Sequence, residues 1–493
     1  TLLAAGRAET LTHAHRFGDA FDETTLAADV PALAALASER DAAGVVLDGY
    51  HFTAADQAAL AAAGRSTIVI DDLAGEPFYT ADAVLNHNFG AAERTYPHGP
   101  LTLALLGERY LLLRPEFAPD SINAASTSVK NDASRPDETA PFRLLILFGG
   151  ADAGNLTGSV LAALRGMVPT LAVEVVLGPA NAHRAAIERE AELWGDRCRV
   201  LFGETNLSAA FRRADLALSA GGGTIWELAA VGTPTLAVIT AENQRPGVER
   251  FAAVRAIENL GDAENVSPDE LVGAVHRLMA DASRREELSR TARSLVDGRG
   301  AERVVEALDS HLVVLRPATS DDAELLLDWA NEPGVRAASF KSHTIKLDEH
   351  RLWLDRQLAD PLSTVWIAYD LSGAPIGSVR FAPPVCQPFA PGGRIRPSTS
   401  TTVISVNVDA TRRGQGWGPR IIQLATRRLL SAGTVRRVAA YIKTENVASQ
   451  RAFVRAGYSF TVESSCSGFP AVVDVFDRVD LGKLAPRVAE AVL

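Results

Sequence analysis

The seven-residue run Arg412–Gly418, of sequence RRGQGWG, constrains the fold of this chain more than any other feature. It follows an alternating strand-like stretch, Val403–Val408, and precedes a helix-like one, Pro419–Leu430. A strand, a glycine-rich turn and a helix N-terminus together aim several backbone N–H groups at one anionic group. The two arginines add charge-assisted donors, and a proline suits the first turn of a helix. The context favours a pyrophosphate-binding loop over the alternative, a simple tight turn.

The downstream segment Tyr441–Tyr458, taken with this loop, resembles the GNAT family of acyl-CoA-dependent N-acetyltransferases over about Val313–Leu481. The resemblance implies acetyl-CoA as cosubstrate and a strand that splays from its neighbour, so that its backbone polarises the thioester carbonyl. Asn446 is also explained by the alternative role of a helix N-cap. The implied acetyl-CoA contacts are Val406, Val408, Arg413, Gly414, Gln415, Gly416, Trp417, Gly418, Asn446 and Ser449.

The segment departs from the family at the proton donor to the departing thiolate. Many relatives have a tyrosine where this chain has Phe453, and a phenyl ring cannot donate a proton. Tyr458, five residues on, is expected to be a strand residue packed in the core, with the donor role as the alternative. Otherwise water or the intrinsic stability of the CoA thiolate must serve. No general base can be assigned from the sequence.

Composition limits the function classes. The chain has 493 residues, enough for about three domains, and a net charge of −11 that argues against a general nucleic-acid or membrane-surface partner. No run of 18 or more apolar residues suggests a membrane span. Cys198, Cys386 and Cys466 match neither a disulfide framework nor a zinc-ligand spacing, so we expect no metal and a cytoplasmic location. No secretory signal is recognised, and the oligomeric state stays open.

Short apolar strands alternate with alanine-rich helical stretches in the first three hundred residues. Gly44–Leu47 and Thr67–Ile70 each end in aspartate, and later strands at Arg143–Phe148, Leu171–Leu177 and Asp215–Ser219 each run into glycine or a glycine-containing turn. This alternation is typical of parallel α/β sheets, in which ligands bind at the carboxyl ends of the strands. Residues 118–140, which lie between the second and third of these strands, are rich in Ser, Asn, Asp and Pro. This composition predicts a linker that joins two lobes.

Gly221–Glu227 carries the chemistry expected for a nucleotide diphosphate. Three glycines at a helix N-terminus offer backbone donors to phosphate, and Glu227 can accept from ribose hydroxyls. The alternatives are a close helix–sheet packing turn for the glycines and a favourable first-turn charge for the glutamate.

This front half resembles the UDP-2,4-diacetamido-2,4,6-trideoxy-β-L-altropyranose hydrolase family of pseudaminic acid biosynthesis, which has a GT-B-like fold. The motifs that carry the resemblance are Val46–Tyr50, Ile70–Leu73, Leu85–Asn88, Leu106–Phe117, Phe148–Asp152 and Gly221–Gln244. The resemblance implies inverting C–O cleavage that releases UDP without a metal. The UDP-sugar-binding residues it implies are Asp48, Tyr50, Asn88, Gly149, Gly150, Gly221, Gly222, Gly223, Thr224, Glu227, Asn243 and Gln244.

The largest departure from that family is at the N-terminus. The family's first strand leads into a Gly-x-Gly-His loop, whereas here the helix-like Leu2–Ala5 opens the chain, and His13 and His15 suit surface positions. Nothing in the spacing of His51 or His87 supports a substitute. The catalytic group is therefore unknown, and we expect a chain that starts at Thr1 to be impaired in hydrolysis.

The acetyltransferase half further resembles the subgroup that acetylates the 4-amino group of a UDP-amino sugar. Asn331 and Arg336 are the implied acceptor contacts, with an exposed helix-end arginine as the alternative for Arg336. That product is the hydrolase family's substrate, so the sequence predicts a bifunctional nucleotide-sugar enzyme. The alternatives are a GT-B glycosyltransferase fused to an acetyltransferase, and an acetyltransferase with a non-catalytic UDP-sugar-binding module.

The predicted fold class is α/β: a two-lobed, GT-B-like, Rossmann-like hydrolase, N-terminally truncated, followed by an α+β GNAT domain. The predicted segments are an N-terminal lobe at 1–117, a flexible linker at 118–140, a UDP-binding lobe at 141–310 and the acetyltransferase at 312–485. The sugar stereochemistry is not determined by the sequence.

Overall fold

The computed structural model divides into two compact units, Thr1–Leu85 with Thr95–Leu105 and Val305–Leu493, and Asn86–Arg94 with Leu106–Val304. It describes residues 2–4, 7–9, 30, 32–37, 39, 42, 44–49, 52–63, 65–118, 141–167, 170–204, 206–382, 389–390, 393–394, 401–433, 435–466 and 469–477. The predicted site residue Tyr50 lies outside these ranges, and so do the three histidines discussed above, His13, His15 and His51. Nearly all of the predicted linker also lies outside them.

A six-stranded sheet, in the order β2-β1-β3-β4-β5-β6, begins the first unit. Its elements are β1 (Leu2–Ala4), β2 (Arg7–Glu9), β3 (Gly44–Asp48), α1 (Ala54–Ala62), β4 (Ser66–Ile70), β5 (Ala83–Asn86) and β6 (Leu103–Leu106). Strands β3, β4 and β5 pair in parallel. Helix α1 starts with a capping box in which Thr53 accepts from the backbone of Asp56. Its Leu60 packs with Val45, Leu47 and Val69 of the sheet.

The helical expectation for Leu2–Ala5 is wrong. Leu2–Ala4 is a strand that pairs antiparallel with both Arg7–Glu9 and the start of β3. A segment this short cannot repay the cost of helix nucleation, whereas the sheet edge offers it backbone hydrogen bonds.

The second unit is built on an all-parallel sheet in the order β12-β11-β10-β7-β8-β9. Its strands are β7 (Phe142–Leu147), β8 (Leu171–Leu177), β9 (Cys198–Phe202), β10 (Leu216–Ala220), β11 (Thr235–Ile239) and β12 (Glu258–Asp262). Its helices are α2 (Leu156–Leu164), α3 (Arg184–Glu192), α4 (Ser208–Arg213), α5 (Thr224–Val231), α6 (Arg245–Ala253), α7 (Pro268–Ala280) and α8 (Ala282–Leu295), and α9 (Gly300–Asp309) follows. The strand order is that of the doubly wound fold, and it reverses between β7 and β10. The alternation read from the sequence is confirmed here.

A seven-stranded sheet, in the order β13-β14-β15-β18-β19-β21-β20, forms the C-terminal part of the first unit. Its strands are β13 (Val314–Pro317), β14 (Thr364–Tyr369), β15 (Pro375–Ala382), β18 (Thr401–Val408), β19 (Arg437–Lys443), β20 (Ser459–Cys466) and β21 (Phe469–Asp477), and β16 (Phe389–Ala390) pairs with β17 (Gly393–Arg394). The helices are α10 (Ala323–Asn331), α11 (Pro333–Ala338), α12 (Leu347–Ala359), α13 (Trp417–Ser431) and α14 (Val447–Arg455).

The two faces of this sheet are covered by different helices. On one face, Val379, Phe381 and Ile404 pack with Ile421 and other residues of α13. On the other, Val365 and Ile367 pack with Leu354 of α12 and with α10. The strand residues alternate between the two faces, as a strand with both faces covered requires.

Helix α13 also contacts the front sheet, within the same unit. The guanidinium of Arg427 lies 3.9 Å from the carboxylate of Asp82, and both side chains are largely buried. Burial raises the pKa of Asp82, and it lowers the pKa of Arg427. Nearby, Nε2 of buried His311 donates to the carbonyl of Leu101 at 2.8 Å. The front sheet and the C-terminal sheet therefore share one packed body.

Candidate functional sites

The glycine-rich run forms the turn between β18 and α13. Gly414 and Gly416 have φ of +79° and +84°, in the left-handed region that glycine adopts without strain. Gly416 is the N-cap of α13, and no side chain caps that helix end. The first N–H groups of α13 are therefore left to a ligand or to water, as an anion-binding turn requires.

Strands β18 and β19 diverge beside this turn. They pair in parallel only from Thr401 opposite Arg437 to Val403 opposite Ala439, although β18 continues to Val408 and β19 to Lys443. A cavity of about 750 Å³ occupies the divergence. Val406 and Val408 line it, together with Gly414, Gly416, Trp417 and Gly418 from the turn and helix. The predicted splay and the predicted loop thus meet at one cavity.

The cavity lining is strongly basic. It contains no Asp, Glu or His among the described residues, although the whole chain carries a net charge of −11. A cationic pocket of this kind concentrates anionic ligands. Its six basic residues are Arg380, Arg412, Arg413, Lys443, Arg451 and Arg455.

Carboxylates hold the two arginines of the run in place. Arg413 donates to Glu332 at 2.6 Å, and this contact lowers the pKa of Glu332 to about 2. Arg412 donates to the buried Asp370 at 3.2 Å. Both arginines still line the cavity, and ion pairs fix their positions there.

Gln415 is not among the residues that line the cavity. Its amide donates to the carbonyl of Thr411 at 3.1 Å and accepts from the indole of Trp417 at 3.3 Å. It therefore braces the turn, and the acetyl-CoA contact predicted for it stays a prediction.

Asn446 and Ser449 open helix α14 at the cavity wall. Asn446 accepts from the backbone N–H of Ser449 at 3.1 Å, so it is an N-cap, and both residues also line the cavity. The two roles weighed for Asn446 are compatible.

Phe453 lines the cavity, whereas Tyr458 does not reach it. Tyr458 is buried, its hydroxyl lies 2.6 Å from that of Thr426, and its ring meets Phe453 edge-on. The expected core position of Tyr458 is confirmed, although Tyr458 lies one residue before strand β20 and not within it. The described lining supplies no tyrosine at the Phe453 position, and its one tyrosine is Tyr441 of β19.

Asn331 and Arg336 bond to their own segment. The amide of Asn331 exchanges hydrogen bonds with the backbone of Ile345 at 2.8 and 2.9 Å, and Arg336 donates to the carbonyls of Ala330 and Lys341. Neither residue lines the cavity, although their neighbours Val335 and Phe340 do. Their acceptor role stays a prediction.

In the second unit, the predicted glycines lie where the strand order reverses. Gly149 and Gly150 follow β7, and Gly221–Gly223 follow β10, which is the neighbouring strand. Helix α5 begins at Thr224 with Gly223 as N-cap and without a side-chain cap. A larger residue at Gly221 would force Val248 to move, because a Cβ there would lie 2.2 Å from its side chain. This arrangement satisfies the rule that ligands bind beyond the carboxyl ends of strands at the switch point.

Glu227 has a partner that the sequence did not predict. Arg114 donates from Nε and Nη2 to its two carboxylate oxygens at 2.7 and 2.8 Å. This bidentate pair raises the pKa of Arg114. The carboxylate is thus fixed in direction one turn into α5, and its ribose contact stays a prediction.

Three further predicted residues belong to the second unit. Gln244 accepts from Thr240 at 3.0 Å and lies over Gly221 and Gly222, whereas Asn243 is exposed. Asn88 donates from its backbone to Asn86 and precedes Phe89, whose ring stacks on Trp226 of α5. Asp48, exposed at the end of β3, belongs to the first unit.

Sequence reasoning missed Arg114, Arg380, Lys443, Arg451 and Arg455. The last two are four residues apart on α14 after Asn446, a helical spacing that was visible in the sequence. The role of Arg114 depends on its tertiary pairing with Glu227, and the position of Arg380 depends on the register of β15 with β18.

The described residues include no group of three or more His, Cys, Asp and Glu side chains placed to hold a metal ion. Within the same part of the chain, none of the helices combines the length and apolar character needed to cross a membrane.

Two family models match parts of the chain. The Acetyltransferase (GNAT) domain matches residues 313–459, and the Glycosyltransferase family 28 C-terminal domain matches residues 170–304. The chain is therefore a mixed α/β protein with Rossmann- and GT-B-like sheets and a C-terminal GNAT fold.

Two curated proteins are similar to it. Spore coat polysaccharide biosynthesis protein SpsG of Bacillus subtilis is 29% identical over 248 residues, covering 49% of this chain and 68% of that protein. Uncharacterized protein MJ1062 of Methanocaldococcus jannaschii is 24% identical over 289 residues, covering 55% of this chain and 54% of that protein. The chain thus spans about half to two thirds of these relatives.

Solved structures resemble about a third of the chain. Aminoglycoside acetyltransferase AAC(6')-Ib in complex with coenzyme A is 22% identical in sequence, with a TM-score of 0.30. The match covers 35% of this chain and 98% of that protein. Spermidine N-acetyltransferase from Vibrio cholerae in complex with CoA and spermine is 11% identical, with a TM-score of 0.30. That match covers 34% of this chain and 97% of that protein.

Proposed function

We propose that the chain is a bifunctional nucleotide-sugar enzyme. Its C-terminal part transfers the acetyl group of acetyl-CoA to the 4-amino group of a UDP-4-amino-4,6-dideoxy sugar, and its front half releases UDP from the resulting UDP-2,4-diacetamido-2,4,6-trideoxy sugar. The observation that carries the proposal is the basic cavity at the divergence of β18 and β19, beside an uncapped helix end.

The acetyl-transfer half is supported by the order of groups along that cavity. The turn at Gly414–Gly418 offers N–H groups and the Arg413 guanidinium to a pyrophosphate. The diverging backbone at Val406 and Val408 lies farther along, where it would donate to the thioester carbonyl and stabilise charge on that oxygen. Holding the amine beside the thioester supplies much of the remaining acceleration.

No side chain is assigned to the proton movements of this step. The described lining holds no carboxylate or imidazole to act as a base, and Phe453 cannot protonate the leaving thiolate. The acceptor amine therefore reacts in its neutral form, and the positive lining favours that form because it disfavours an ammonium ion.

The UDP-releasing half is supported by the second unit. The N-terminus of α5 and the glycines at the switch point would bind the diphosphate, and they would stabilise it as a leaving group without a metal. Similarity to the glycosyltransferase family 28 C-terminal domain and to the spore coat polysaccharide protein favours a sugar substrate. The group that activates water is not assigned.

The test is mass spectrometry of the products after incubation with acetyl-CoA and UDP-4-amino-4,6-dideoxy-N-acetylaltrosamine. Free UDP together with the diacetamido sugar is the expected result for two working sites. Intact UDP-diacetamido sugar would restrict the activity to acetyl transfer. Absence of any acetylated product would overturn the acceptor assignment.

A further inference from the structure

Arg380 stands apart from the other basic residues of the cavity. It lies on β15 between Val379 and Phe381, both of which are buried in the core on the α13 face. Alternation along the strand therefore places Arg380 on the opposite face, and its guanidinium lies over the ring of Trp353 of α12, 5.6 Å from the centroid. The phosphate-binding turn belongs to the α13 side of the sheet.

The neighbouring strand supplies a polar partner on the same face. Arg380 is directly opposite Ser405 in the β15–β18 register, and Nη2 lies 3.5 Å from its hydroxyl. Nη1 donates to Gln357 of α12 at 3.2 Å. Ser405 and Asn407 alternate with Ile404, Val406 and Val408, so they share the face of Arg380.

No carboxylate balances this guanidinium among the residues that the structure describes. Arg412 and Arg413 each have an acidic partner, whereas the recorded contacts of Arg380 are a neutral amide, a hydroxyl and an indole ring. Burial lowers the pKa of Arg380, as expected for a charge with no counter-ion. A largely buried, uncompensated charge beside a ligand cavity indicates an anionic ligand.

We infer that Arg380, with Ser405, binds a phosphate of the acetyl acceptor on the face opposite the CoA pyrophosphate. Cosubstrate and acceptor then approach the gap between β18 and β19 from opposite sides, and their reactive groups meet within it. Arg380 is thus a specificity-determining residue that selects amines bearing phosphate. This inference rests on the proposed acetyl transfer.

The test compares two acceptors by the initial rate of CoA thiol release. One is the UDP-4-amino sugar, and the other is the methyl glycoside of the same 4-amino sugar, which lacks the diphosphate. Wild-type enzyme should prefer the UDP-linked acceptor in kcat/KM by about tenfold or more, the usual value of a hydrogen bond to a charged group. Arg380→Gln should lose most of that preference, because its kcat/KM should fall much more for the UDP-linked acceptor than for the methyl glycoside.

Two further variants separate recognition from folding. Arg380→Lys keeps the charge and should retain part of the preference. Arg428→Gln is the matched control, because Arg428 also lies over a tryptophan, Trp366, and bonds to a backbone carbonyl, but it does not line the cavity. It should leave the preference unchanged.

The outcomes are distinct. Acetylation of both acceptors with an unchanged preference in Arg380→Gln overturns the role of Arg380 and leaves the proposed function standing. Equal use of both acceptors by the wild type overturns the phosphate subsite. Failure of the wild type to acetylate either acceptor overturns the proposed function itself.

Discussion

Arg114 and Glu227 are 113 residues apart in the chain and form a bidentate ion pair, with N–O distances of 2.7 and 2.8 Å. Arg114 also contacts Glu116 at 3.3 Å, so one guanidinium lies between two carboxylates. Of the two, only Glu227 is on α5, one turn from the glycines at the switch point. The pair fixes the direction of the carboxylate that we propose to meet the ribose.

Replacement of Glu227 by Gln should weaken UDP binding by about tenfold, because a charged acceptor for the ribose hydroxyls is lost. Isothermal titration of UDP measures this directly. Glu116→Gln is the control, since it removes an equal charge from the same arginine and should leave the affinity unchanged. If Glu227→Gln and Glu116→Gln both bind UDP as tightly as the wild type, Glu227 does not contact the ribose and serves only to hold Arg114.

Replacement by alanine should have different effects at two glycines of the same turn: one should lose stability, and the other should lose UDP affinity. A Cβ at Gly221 would lie 2.2 Å from buried Val248, so Gly221→Ala should lower the free energy of unfolding by about 1–3 kcal/mol. A Cβ at Gly223 meets nothing within 4 Å, so Gly223→Ala should fold normally and weaken UDP binding by crowding the approach of phosphate. Thermal unfolding and titration of both variants separate the effects. Unchanged UDP affinity in Gly223→Ala would contradict a phosphate site at this helix end.

The buried pair of Asp82 and Arg427 should show strong coupling in a double-mutant cycle. Asp82→Asn leaves the guanidinium of Arg427 buried without a counter-ion and should cost about 3 kcal/mol. Arg427→Met leaves a carboxyl whose pKa burial already raises, so its cost should increase as pH rises through the pKa of that carboxyl. The double variant should recover most of the loss. Denaturant unfolding of all four proteins measures the coupling, and additive costs would contradict it.

His311 should make the first unit acid-sensitive. Burial lowers its pKa to about 4, below the value near 6.5 in the unfolded chain, so the unfolded state binds more protons between these values. Stability from this residue is present above pH 6.5 and falls by about 3 kcal/mol as pH approaches 4. His311→Gln keeps a donor for Leu101 and should flatten the profile in that window. The exposed His276 is the control, and a profile that falls equally steeply in His311→Gln would exclude His311 as its source.

Much of the fold followed from local sequence pattern. The glycine run predicted the turn between β18 and α13, and the strand at Leu171–Leu177 has the predicted bounds, because alternation and glycine placement act over a few residues. Leu2–Ala4 was misread because its strand pairs with β2 and with β3, and the pairing with β3 joins it to a segment about 40 residues away. Local pattern cannot show which partner a chain segment will meet.

The candidate sites divide in the same way. The glycines and Asn446 were found because their roles depend on backbone conformation and capping. The partner of Glu227 and the position of Arg380 depend on contacts across more than a hundred residues and on the β15–β18 register. The charge balance of a pocket is a tertiary property, so no single motif indicates it.

The divergence of β18 and β19 has a consequence beyond catalysis. Beyond Val403 these two strands do not pair with each other, and the sheet has a gap in its middle with an unpaired strand edge on either side. Open strand borders attract other extended chains, and most proteins confine them to the periphery of a sheet. An extended ligand bearing amide groups would occupy this gap and hydrogen-bond to the unpaired edges, as a further strand does. Bound cosubstrate would therefore also protect these edges from pairing with other chains and aggregating.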